Sequence, residues 1–332
     1  MSRRKPLYTV FVGTDSGILK GIEFTSCGAN TKNYPSSSTL DRGNEITALL
    51  WRDENEKEIY VGHRDRTVSL FDTQAESFIF RLPINFGKGK IVDITQRKEH
   101  ILVAVESGHI GTLFKCEKSE QKVFSDTLHG VKCTFKAKPT LKTIKGHPGH
   151  ATQFATGGCE NNLKIWDIER PNRAIFMAKN VPNDMLDLRV PVLVSDLSFM
   201  HDNRTVAVVS RNKFVRLYDP RAKRRAVINV KYEDSPLTSI CILPDRPGQV
   251  AIGTAHGRVT LFDLRMKIKY RNPVVYKGIN GGIKDLAAAS PDPPFVYSVS
   301  LDRYLRVHNI DTKKTVHKEY LKSRLTTVLV KS

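Results

Sequence analysis

The stretch QFATGGCENNLKIWDIER, residues 153–170, runs from an apolar segment through small residues into a polar turn, and a second run ends in Trp166-Asp167. It reads as a β-hairpin. The fold is decided by its recurrence. Similar hairpins read VFVGTDSGILKGIE (10–23), IYVGHRDRTVSLFD (59–72), ILVAVESGHIGTLFK (101–115), TVAVVSRNKFVRLYD (205–219), QVAIGTAHGRVTLFD (249–263) and FVYSVSLDRYLRVHN (295–309). The seven end at 23, 72, 115, 167, 219, 263 and 309, at spacings of 43 to 52 residues. A strand-rich period in the forties is that of a four-stranded propeller blade. Two further strands fit each gap; after Asp219, AVINVKY and PLTSICIL supply them. No amphipathic helix of ten or more residues interrupts the pattern, which argues against a βαβ alternation.

The expectation is therefore an all-β, seven-bladed propeller, a single domain over residues 1–332. Neighbouring blades cover both faces of each sheet, so central strands can be wholly apolar. A narrow axis is expected to favour the small residues of FATGG and AIGTA. Radial closure leaves only short, protected edges. Asp65 and Asp302, each seven residues before the end of its hairpin, are placed to accept turn N–H bonds; Glu160, Asn212 and His256 stand at that offset in other blades. Gly146-His147 reads as loop, being close to Trp166-Asp167. The first hairpin starts near Leu7 without a full set of partners. The alternating tail SRLTTVLVKS (323–332) is expected to join blade one and close the ring.

The chain carries 53 Lys and Arg against 34 Asp and Glu, a formal charge of +19. Such a field attracts polyanions and adds a salt-dependent term to nucleic-acid binding. No apolar run approaches the roughly 18 residues that span a bilayer, and MSRRKPLYTV lacks the apolar core of a secretory signal, so no membrane partner is expected. Five scattered cysteines without CxxC spacing fit a reducing compartment.

Catalytic signatures are missing: the sequence has no GxSxG, GxxxxGK[ST] or HExxH, and the repeat accounts for its recurring Asp residues. No enzyme activity, cofactor or metal is assigned. Cys133, His147, His150 and Cys159 share one region, but the His-x2-His spacing is short for structural zinc. KGINGGIKD (277–285) offers backbone N–H groups suited to a phosphate, and equally reads as an inter-blade loop. RAKRR (221–225) follows Asp219-Pro220 on a loop, so Arg221, Lys223, Arg224 and Arg225 are candidate RNA-phosphate contacts. KIKYR (267–271), KKTVHK (313–318) and RRK (3–5) add to the charge. AKNVPNDMLDLRVPV (178–192) joins blades four and five and is too apolar for an ordinary exposed loop. Its Met185, Leu186 and Leu188 either fold over the rim or form a partner-binding ridge with charged flanks, two compatible readings.

LKIWDI with an Asp at the turn resembles the WD-repeat family. AKNVPNDMLDLRVPV, with GTDSGILKG (13–21), ATGGCENNLKIWD (155–167), LFDLR (261–265), LDRYLRVH (301–308) and YLKSRL (320–325), resembles more closely the nucleolar WD-repeat factors of large ribosomal subunit assembly. The resemblance implies a non-enzymatic, monomeric scaffold of the nucleus and nucleolus. It would bind early pre-60S assembly factors beside ribosomal RNA, with removal linked to a nuclear AAA-type ATPase and to the helicase of the RNA exosome. By motif match it makes Asp184, Asp187, Leu188 and Arg189 candidate partner contacts. Members usually carry a basic tail beyond the propeller, and the sequence ends at Ser332, so tail-dependent targeting is left unassigned.

A rival resemblance comes from YDPR (218–221) and FDLR (262–265), which set Arg221 and Arg265 two residues after an Asp in consecutive blades. This is similar to the paired motif of propeller substrate receptors of cullin-based ubiquitin ligases, where an Arg forks onto an acidic adaptor. It makes Arg265 a further partner-binding candidate.

Overall fold

A computed structural model describes residues 8–25, 28–37, 41–97, 100–114, 132–232, 235–265, 274–289 and 294–331. These form seven four-stranded antiparallel sheets. The one helical element among them is the 3-10 turn Arg42–Asn44, and no helix is long and apolar enough to cross a membrane. The innermost strands of blades two to seven are Ile46–Trp51, Ile91–Arg97, Leu141–Gly146, Val194–Phe199, Leu237–Ile242 and Ile283–Ala289. In blade one that place is taken by Leu325–Val330, which pairs antiparallel with Tyr8–Thr14, from Val10 opposite Val330 to Thr14 opposite Leu325. The C-terminal strand thus closes the ring, as expected.

Seven apolar clusters lie between consecutive blades. Blades one and two share Phe11, Leu19, Ile46, Ile59 and Phe71. Blades seven and one share Tyr297, Val299, Val10, Leu325 and Val328. The hairpins that recur in the sequence are the second and third strands of each blade. They are sandwiched on both faces, which is why Glu58–His63 and Phe295–Ser300 are buried along their whole length.

Two expectations need correction. The small residues of FATGG and AIGTA sit on second strands, not at the axis. Their size is set by the neighbouring blade: a Cβ on Gly157 would lie 2.7 Å from Val194, and one on Gly253 would lie 2.7 Å from Ile283. Gly146 is not loop but the last residue of an innermost strand, opposite Phe154. His147 follows it and donates its N–H to Gln153. Residues 147–152 alone join Leu141–Gly146 to Gln153–Gly158, so both strands fit before Trp166.

The turn carboxylates act as expected. Asp65 accepts the Thr67 N–H at 3.0 Å and its hydroxyl at 2.7 Å. Asp302 accepts the Tyr304 N–H and a two-pronged contact from buried Arg306. KGINGGIKD is packed between blades: Asn280 donates to Asp302, and a Cβ on Gly281 would meet the Asp302 backbone at 2.7 Å. That geometry favours the inter-blade reading over a phosphate cradle.

Strand alternation fixes which loops share a face. Turns between second and third strands, and connections from each outermost strand to the next blade, emerge at one end of the ring, the upper face. The remaining connections emerge at the lower face.

Candidate docking loop

Residues 178–192 leave the outermost strand of blade four, Phe176–Met177, and arch over the upper face to the innermost strand of blade five. Asparagines and aspartates dominate the loop because their short side chains can bond nearby backbone. Asp184 is the hub. Its Oδ1 accepts the N–H groups of Leu186 and Leu188, both at 2.9 Å, and its own N–H donates to the Leu188 carbonyl at 3.0 Å. Asp187 closes the turn at φ 54°, a left-handed conformation that Asp tolerates better than most residues. Asn183 donates to the Asp187 side chain at 2.8 Å and to its carbonyl. Asn180 spans the neck, donating to Val190 at 2.7 Å.

The loop is fastened at both flanks by two of the hairpin turns that depart from the repeat's Asp. In blade four Glu160 forms an ion pair with Arg189 and accepts the Val192 N–H. Its carboxyl is held below the usual range by the Arg189 hydrogen bond and then by the Val192 N–H. In blade five Asn212 donates to the Pro191 carbonyl at 2.7 Å. Val192, 1% exposed, anchors the end of the loop in the core.

Three apolar side chains point away from this frame: Met185 is 97% exposed, Leu186 73% and Leu188 60%. The alternative in which they fold over the rim is excluded. Burying such a side chain is worth about 1.5–3 kcal/mol, so a pre-ordered ridge gains that on docking without first ordering the backbone. Of the sequence-predicted contacts, Asp184 and Asp187 build the loop and Arg189 ties it down, while Leu188 belongs to the exposed ridge. Met185 and Leu186 complete it.

The other predicted residues lie at the lower face. Arg221 and Arg265 each fold back on the Asp of their own motif, Arg265 with Nη2 2.9 Å from Asp263 and Arg221 with Nε 3.5 Å from Asp219. The Arg265 stem also rests on Gly248. Both forks are thus partly engaged within their own turns. In RAKRR, Arg224 donates to the Met177 carbonyl at 2.8 Å and accepts the Lys179 N–H, bracing the outer edge of blade four. Lys223 and Arg225 are exposed and make no ion pair with a described residue. Residues 3–5 and 267–271 lie outside the described residues, as does the side chain of Cys133. Of residues 313–318, Lys313 and Lys314 precede the outermost strand of blade seven, Thr315–Tyr320, and the rest begin it. His147 Nδ1 accepts the N–H groups of Gly149 and His150, and among the described residues no group of three or more His, Cys, Asp or Glu is placed to hold a metal.

No family model matches the chain. It is 33% identical over 323 residues to WD repeat-containing protein 74 of Homo sapiens, covering 97% of this chain and 80% of that one, and equally similar to the protein of that name in Mus musculus. The chain belongs to the WD repeat-containing protein 74 family. This family likeness extends more distantly to ribosome biogenesis protein nsa1 of Schizosaccharomyces pombe, 23% identical with 97% of this chain and 88% of that one covered. Among solved structures, a computationally designed protein, Ika8, superposes with a TM-score of 0.65 at 15% identity, covering 100% of this chain and 89% of that one. At that identity the likeness concerns the fold alone. The WD repeat-containing protein 74 likeness spans the whole ring, the 178–192 loop included.

Proposed function

We propose that this protein is a non-enzymatic, one-domain scaffold for assembly of the large ribosomal subunit, acting in the nucleus and nucleolus. The observation that carries the reading is the Met185-Leu186-Leu188 ridge, held outward on a hydrogen-bonded loop by Asp184, Glu160 and Asn212. Likeness to WD repeat-containing protein 74 and to ribosome biogenesis protein nsa1 supports the process in which the ridge serves. In this reading the ridge docks on an apolar groove of an assembly factor on early pre-60S particles. Lys223 and Arg225, with Arg221 and Arg224, contact pre-ribosomal RNA from the lower face. A nuclear AAA-type ATPase, working with the exosome helicase, later removes the protein from the particle. The ligase-adaptor reading gains no support from Arg265, whose guanidinium is turned onto Asp263.

A photo-crosslinking amino acid in place of Leu186 tests the reading in the intact chain. Recovery of assembly factors of the large-subunit precursor as the main adducts supports it. Adducts to a ligase adaptor, or none above those from a lower-face control position, would overturn it.

A further inference from the structure

The axial opening on the upper face is ringed by cations that the sequence scatters among different blades. Three hollows of about 180, 230 and 600 Å³ adjoin there. The first is lined by Lys90, Lys142 and Lys284 with the hydroxyl-bearing Thr47 and Thr326. The second shares Lys284 and Thr326 with the first and reaches Arg324 and Arg42; the third shares Lys90 and Lys142 and reaches Arg64. They form one trough from blade seven, past blades one to three, to blade four.

Part of this charge is offset by carboxylates that line the same hollows, Asp15, Glu45, Asp65 and Glu106, against seven lysines and arginines. Lys142 pairs with Glu106 at 2.9 Å and Arg64 with Glu45 at 3.0 Å. Lys90 and Lys284 form no direct ion pair with a carboxylate among the described residues, although Glu106 lies close enough to feel Lys90 and Glu45 close enough to act on Lys284. The Lys284 ammonium is pulled below its usual range by burial, and Lys90 and Arg211 add to the pull against Glu45. Thr238 stands at the place on the inner strand of blade six that Lys284 occupies in blade seven, and its buried hydroxyl has no partner. The lining hydroxyls of Thr47 and Thr326 already donate to the Gly62 and Ile46 carbonyls, so the lysines are what an anion meets, and like charges crowded at one mouth are stabilised by it.

Below the mouth the sign reverses. Asp93, Asp196 and Asp285 project from the inner strands of blades three, five and seven, against one cation, Lys145, whose Nζ lies 2.8 Å from Asp93. An anion is therefore drawn to the mouth and repelled from the bore. It must lie across the opening, along the trough. The trough presents no aromatic side chain for base stacking and one exposed apolar residue, Leu301. That suits a sugar-phosphate backbone better than an acidic peptide, which needs apolar anchors.

We infer that the upper-face trough binds the phosphate backbone of single-stranded RNA, with Lys90 and Lys284 as the principal contacts. This rests on the assembly-factor reading above and adds to it a second RNA surface, on the same face as the apolar ridge.

The test uses the full chain and a labelled twelve-nucleotide single-stranded RNA, titrated at several salt concentrations. With a log–log salt slope of about 0.7 per phosphate neutralised, Lys90→Glu/Lys284→Glu is expected to weaken binding at least tenfold at low salt and flatten the slope by more than 1. Arg221→Glu/Lys223→Glu, on the lower face, is expected to leave that contribution in place. Lysine acetylation of the wild-type protein supplies a second readout: RNA should protect Lys90 and Lys284. Unchanged affinity and slope in the upper-face variant, with Lys90 and Lys284 unprotected, would overturn the inference. So would a wild-type protein that binds no RNA. Neither result touches the crosslinks from position 186, so the assembly-factor reading stands or falls separately.

Discussion

Asp285, on the innermost strand of blade seven, accepts the backbone N–H of Val328 in the C-terminal strand at 3.0 Å. The same oxygen accepts the Thr327 hydroxyl at 2.8 Å. One carboxylate therefore joins the last blade to the strand that completes the first. The device is repeated: Asp196 of blade five accepts the Ile240 N–H of blade six at 3.0 Å. Inner strands are stitched from blade to blade around the axis, and the final stitch is the ring closure.

Removal of residues 323–332 deletes that stitch, exposes the edge of Tyr8–Thr14 and strips Leu325 and Val328 from the cluster between blades seven and one. Two buried side chains and a ladder together are worth roughly 5 kcal/mol or more. The melting temperature should fall by about 10 °C or more. Calorimetry of the truncated chain checks this, and an unchanged melt would refute the clasp.

Three buried groups set an acid limb on stability. Burial holds His308 down to about 3 and His63 down to about 4. A histidine with a depressed folded pKa contributes stability that is complete above about 6.5 and is lost as pH falls towards the folded value. Burial instead raises Asp285 to about 6. This carboxyl works in the opposite direction, favouring the fold as pH falls from about 6 to its unfolded value near 3.9. Between pH 6.5 and 5 the two histidine losses outweigh the Asp285 gain, and Asp196, also raised by burial, trims the difference, so stability should drop by about 2 kcal/mol or less. Denaturant titrations across that window measure the drop. His308→Gln should remove most of the downward slope, and a slope equal to wild type would contradict the assignment.

Two glycines of neighbouring loops separate backbone strain from crowding. Gly278 has φ 84° and open space around its Cβ position, whereas Gly257, at φ 74°, would set a Cβ 2.2 Å from the Ile279 carbonyl. Gly278→Ala should cost about 1 kcal/mol. Gly257→Ala should cost clearly more, about 3 kcal/mol, because backbone must move. Equal losses in urea unfolding would show that the inter-blade contact is not tight.

Asp184→Ala removes the acceptor of two loop N–H groups. The ring has no share in those bonds, so global melting should move by less than about 1 kcal/mol. Amide exchange at Leu186 and Leu188 should accelerate severalfold. Retained protection at both positions would mean that the loop is ordered by something other than Asp184.

The architecture was legible because every blade meets the same demand. Both faces of its central strands are covered, so each hairpin repeats the same apolar code. Innermost strands were harder to read. They face a bore on one side and mix Asp, Lys and Thr with apolar residues, which hid Leu141–Gly146 among polar neighbours. The loop was visible as an oddity, Met-Leu-Asp-Leu between prolines, but its outward display was not. That depends on Glu160 and Asn212, which look in the sequence like imperfect copies of a turn aspartate. Lys90 and Lys142 gave no signal, and Lys284 only as part of KGINGGIKD, since only ring closure brings these blades to a common mouth.

The most direct test of the central claim is co-sedimentation with large-subunit precursors, comparing wild type with Met185→Ser/Leu186→Ser/Leu188→Ser. The three side chains touch no core cluster, so the variant should melt within about 2 °C of wild type. Its association with the precursors should fall at least tenfold. Full association by a normally folded variant would contradict the account.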